Sequence, residues 1–178
     1  MTNAETRLLV GSGMILLAIS LVNGFLIGVM PLVRLALSAH LVGLMGSAFL
    51  IGLGACWPAL ALTERTSKIG ALTAVYGFCG GWLVYFIAAA TGTGGMLPIA
   101  SGDTRGSSFL ESVMSGALLT VALALFTLCG IVLKGLSETG GRGSAPRGSE
   151  HEEHGLETSA DALAEAQMQK TPIPRSYK

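Results

Sequence analysis

The chain has 178 residues, eleven basic and eleven acidic side chains, zero formal net charge and 51 % hydrophobic residues. Charged residues make up 12 %, about half the ~25 % of a soluble domain. Only eight lie between Leu8 and Leu136 (Arg34, Glu64, Arg65, Lys68, Asp103, Arg105, Glu111 and Lys134). That excludes a water-solvated globule over this stretch, and neutrality excludes an electrostatic claim on nucleic acid or acidic lipid. The sequence reads as an integral membrane protein.

Four apolar runs, 8–30, 35–62, 69–91 and 109–136, each reach the ~20 residues that cross a ~30 Å hydrocarbon core as a helix. They lack the alternation and the length of about ten residues of barrel strands. The expected fold is an all-α, four-span bundle over residues 1–136. The first run is too long for a signal-peptide core and is expected to stay in the mature protein. Pro31 and Arg34 turn the chain after it, residues 63–68 form the second break, and a Gly-rich loop precedes the fourth span.

Four spans place both termini and residues 63–68 on one side. Arg7, Arg65, Lys68, Lys134, Arg142 and Arg147 belong there, against Arg34 and Arg105 opposite, so the positive-inside rule puts the termini in the cytoplasm of a plasma-membrane protein. Residues 137–178 read as a flexible polar tail with a short helix possible over 159–170. His151-Glu152-Glu153-His154 lacks the H-E-x-x-H spacing and is read as solvated. Cys56, Cys79 and Cys129 stand singly in apolar runs, as small hydrophobes.

The informative residues are polar ones that hydrocarbon disfavours: Asn23, His40, Tyr76, Tyr85 and Ser115. His40 is six residues past Arg34, roughly 9 Å inside the boundary at ~1.5 Å per residue, and Asn23, Tyr85 and Ser115 fall within about a turn of that level. Each span thus offers a hydrogen-bonding group to one layer. Asn and Ser also serve as interhelical glue, whereas an intramembrane histidine is a functional candidate by default. Thr73, Gly77 and Gly81 recur every four residues below Tyr85, and Gly43 and Gly46 follow His40. Such small residues admit either a neighbouring helix or a flat ligand.

The stretch Arg34-Leu35-Ala36-Leu37-Ser38-Ala39-His40-Leu41-Val42-Gly43 resembles the second-helix motif of the hydroxylaminobenzene mutase family. Tyr76-Gly77…Trp82 and Gly94-Gly95-Met96-Leu97-Pro98-Ile99-Ala100 fit the same pattern. More distantly, the chain resembles the styrene oxide isomerases, which share the four-helix plan. The match runs from about Gly11 to the start of the fourth span.

The resemblance implies a membrane isomerase of small aromatic hydroxylamines or epoxides, working as a homotrimer with haem b between subunits. It implies His40 as the iron ligand and Tyr85 as a substrate-holding catalytic residue; Gly43, Gly77 and Gly81 are taken as further cofactor-binding positions, since their bare helix faces could admit a flat ligand. Family members carry asparagines where this chain has Gly46 and Gly81, and the epoxide isomerases carry an aspartate at Gly77. Asn23 is taken as a replacement catalytic amide from the first helix. Two other readings stand beside the isomerase. An electron-transfer cytochrome would need Met45, Met96 or Met114 as sixth ligand. The other is a non-enzymatic membrane module.

Overall fold

The computed structural model describes residues 3–95 and 106–142. These form four α-helices, α1 (Asn3–Leu26), α2 (Val33–Cys56), α3 (Glu64–Thr91) and α4 (Ser108–Arg142), with 3-10 turns at Ile27–Val29 and Trp57–Ala59. All four helices are long and apolar enough to cross a membrane. The all-α, four-helix reading of the sequence holds, and no strand occurs among the described residues. The expectations for residues 96–105, for the tail beyond 142 and for the helix over 159–170 lie outside the described residues.

Neighbouring helices run antiparallel, as the residues that meet show. Gly13 packs on Ser47, Leu50 and Ile51, and Gly54 on Leu9 and Val10, along the α1–α2 seam. Gly46 packs on Phe78 between α2 and α3, and Gly70 on Trp57 and Ile131. Glycine at these positions lets backbones approach closely, which drives association where no hydrophobic effect separates helix from lipid. Large apolar side chains stand on the outside: Phe25 is 89 % exposed, Phe126 77 % and Leu133 66 %. Exposed apolar surface on that scale suits hydrocarbon rather than water.

The helices depart from the apolar runs at their ends. α3 begins at Glu64, five residues before its run, because Thr63 Oγ1 accepts from Thr66 N–H at 3.4 Å and Lys68 pairs with Glu64 at 2.7 Å. It stops at Gly92, whose φ of 70° is left-handed. α2 gives way at Trp57–Ala59, a 3-10 turn that carries Pro58 near its start. α4 continues past Leu136 into the stretch read as tail. There Thr139 Oγ1 accepts from Ala61 N–H and donates to carbonyl oxygen, tying α4 to the α2–α3 turn. A hydropathy run marks what lipid tolerates, whereas a helix ends where its backbone finds other partners.

Candidate functional site

Near the α1–α2 turn, three helices bring polar groups together. His40 of α2 is half-buried, and its Nδ1 lies 2.7 Å from the Ser20 carbonyl of α1. A carbonyl only accepts, so Nδ1 carries the proton of this bond, and of the two neutral tautomers only the one with its lone pair on Nε2 can make it. Nε2 has no hydrogen-bond partner among the described residues. The ring lies against Gly24: a Cβ there would meet His40 Cε1 at 2.9 Å and Nδ1 at 3.1 Å.

Asn23 is 1 % exposed, on the same helix face as Ser20. Its Nδ2 donates to the Ala36 carbonyl at 3.5 Å, and its Oδ1 is buried without a partner among the described residues. Ala36 also belongs to a small core cluster with Leu35, Ala88 and Ala89, against which the half-buried Tyr85 packs. The Tyr85 hydroxyl makes no hydrogen bond to a described residue. One turn deeper, Gly43 touches both Ser20 Oγ and Trp82 Cδ1. Ser20 Oγ and Trp82 Nε1 are themselves buried and unpartnered among the described residues.

The structure thus gathers Asn23 and His40 on the α1–α2 seam, with Tyr85 on the neighbouring α3 face. It does not gather the rest. Ser115 Oγ donates to the Glu111 carbonyl of its own helix at 2.7 Å. Tyr76 hydrogen-bonds Thr120 at 2.7 Å on an exposed face, joining α3 to α4. The Gly77–Gly81 trough is filled: Leu125 of α4 sits 2.7 Å from a Cβ at Gly77, and Val121 lies 3.5 Å from one at Gly81. Gly43 is likewise covered by Ser20 and Trp82. Within one chain Gly43 and Gly77 serve helix packing, because the neighbours' side chains occupy the space their missing Cβ atoms leave, whereas Gly81 leaves Val121 at ordinary contact distance. Ser20 and Gly24 escaped the sequence reading, and Trp82 entered it only as part of the family motif. The signal for Ser20 was its place three residues before Asn23, on one helix face.

Residues 5–137 match the family model of styrene oxide isomerase. The chain belongs to that family. Two relatives in Ectopseudomonas oleovorans agree. Hydroxylaminobenzene mutase HabB is 37 % identical over 131 residues, 73 % of this chain and 80 % of its own. Hydroxylaminobenzene mutase HabA is 33 % identical over 129 residues, 72 % of this chain and 96 % of its own. No solved structure matches the chain. As a member of the styrene oxide isomerase family, it is an enzyme of the isomerase and mutase class.

Proposed function

We propose that the chain is a membrane-embedded isomerase that rearranges a small aromatic hydroxylamine or epoxide, with His40 as the residue that would hold the iron of a haem b. One observation carries this reading: His40 donates Nδ1–H to the Ser20 carbonyl and leaves Nε2 unbonded among the described residues. Metal-bound histidines are generally set in this way, the second ring nitrogen held by a carbonyl or carboxylate. Among the described residues no three His, Cys, Asp or Glu side chains form a metal-holding group. A haem brings a macrocycle of its own and asks few ligands of the protein, which fits a site built on His40. When bound, haem iron supplies a Lewis acid that polarises a substrate oxygen with no electron consumed.

The chain's own residues supply orientation and dryness. Tyr85 offers a phenol donor to the substrate oxygen, and the Oδ1 of Asn23 offers an acceptor. The apolar helices exclude water from a cationic intermediate. The exposed apolar surface supports placement in the bilayer, where small aromatics partition. The six-to-two division of basic residues supports cytoplasmic termini. Gly11, Gly52, Gly116 and Gly130, each facing open space, suit self-association, which we take to be trimeric.

A visible spectrum of the detergent-purified protein, followed by an anaerobic assay with no reductant, tests this reading. A Soret band is expected that His40→Ala abolishes or strongly shifts without loss of membrane insertion. Product is expected from an arylhydroxylamine or aryl epoxide, with Tyr85→Phe keeping the haem and slowing turnover on the order of 10²-fold. Full haem with no product would favour an electron-transfer protein. No Soret band in protein isolated with haem available would overturn the haem assignment.

A further inference from the structure

We propose that Gly24 is the positioning residue for His40, the absence of its side chain setting the imidazole's tautomer. The inference builds on the role proposed for His40 but concerns a different residue and a different observable. Ser20 and Gly24 are four apart on α1, so the Ser20 carbonyl accepts the Gly24 N–H as part of the helix. The same oxygen accepts His40 Nδ1–H at 2.7 Å. To reach a carbonyl already used by the helix, the imidazole must lie flat beside the next turn, where a side chain at 24 would stand. A Cβ built on Gly24 would lie 2.9 Å from His40 Cε1, 3.1 Å from Nδ1 and 3.5 Å from Nε2. All three of its nearest neighbours belong to that ring.

The two parts of the device are separable. The Ser20 carbonyl fixes which nitrogen holds the proton, and Gly24 lets the ring come close enough for it to do so. An alanine at 24 displaces the ring, the movable partner, and leaves the helix backbone in place. The Nδ1–H bond lengthens or breaks, the neutral imidazole becomes free to exchange tautomers, and a fraction of the molecules carry the proton on Nε2. That nitrogen is then no longer a ligand.

The test compares wild type, Gly24→Ala and the control Gly52→Ala, whose Cβ meets open space. Nitrogen-15 NMR of histidine-labelled apoprotein reads the tautomer with no haem present, the His40 signals being assigned by their loss in His40→Gln. Wild type and Gly52→Ala are expected to show one Nδ1–H tautomer, and Gly24→Ala a mixture. Haem titration of the same samples is expected to show affinity reduced roughly 10- to 100-fold in Gly24→Ala alone, the range for loss of a ligand's outer hydrogen bond.

An unchanged tautomer in Gly24→Ala overturns the proposal. A changed tautomer with no haem bound by any variant keeps the proposal and fails the haem reading instead. Should Gly24→Ala fold poorly, Gly24→Ala combined with His40→Ala decides. Restored stability shows that the ring was the obstacle. Persistent instability shows that it was not, and the proposal falls.

Discussion

At the scale of single residues, the site is defined as much by what is missing as by what is present. Gly43 and Gly81 look alike in sequence, each a small residue on an apolar helix, yet their surroundings differ. A Cβ at Gly43 would overlap Ser20 Oγ and come within 2.6 Å of Trp82 Cδ1, whereas one at Gly81 would meet Val121 at an ordinary 3.5 Å. Gly43→Ala should therefore destabilise the bundle by about 1–3 kcal/mol through overpacking, and Gly81→Ala should be nearly silent. Unfolding midpoints in mild detergent would show it; equal midpoints for the two variants would contradict the packing described. His40 and Asn23 were legible in the sequence, because few side chains are worse suited to hydrocarbon. Ser20 and Trp82 were not, since serine and tryptophan are ordinary in membrane helices. Only their neighbours reveal that Ser20 Oγ and Trp82 Nε1 are buried without partners among the described residues.

At the scale of elements, the segment entering α4 is held by one carboxylate. Glu111 Oε1 accepts from Gly95 N–H and from Gly106 N–H, each at 3.0 Å, so one side chain from the first turn of α4 binds both sides of the connection from α3. Hydrogen bonds to a charged acceptor contribute ~1.5–3 kcal/mol. Glu111→Ala should thus speed amide exchange at Gly95 and Gly106 by roughly ten- to a hundredfold. Amides in the middle of α3 should be unaffected. Exchange at both glycines unchanged from wild type would show that other contacts hold the segment. Nothing in the sequence foretold this, because Glu111 reads simply as an acidic residue near a helix start. Its role depends on two backbone amides 16 and 5 residues away.

At the scale of the whole molecule, the bundle is closed at its α2–α3 end by two polar ties. Trp57 Nε1 donates to Ser67 Oγ at 2.9 Å in the interior, and Thr139 joins α4 to Ala59 and Ala61. A chain ending at Arg142 keeps both ties and should unfold at the same denaturant midpoint as the full chain. A chain ending at Leu136 loses the Thr139 tie and should be less stable by ~1 kcal/mol, the net worth of a hydrogen bond. Equal stability of the two truncated chains would remove Thr139 from the architecture. The four helices themselves were plain in the sequence, since uninterrupted apolar runs admit few other structures in lipid. Their ends were not, because caps such as Thr63 and ties such as Thr139 act through local geometry that hydropathy averages away.

The acceptor that holds His40 is part of the main chain, which every amino acid possesses. Replacing Ser20 by another residue changes what packs on Gly43 but deletes no acceptor, so no substitution at position 20 removes the carbonyl that His40 uses. Mutational vulnerability is shifted to a neighbour: the histidine's setting is exposed to change at Gly24, a residue that takes no part in the bond.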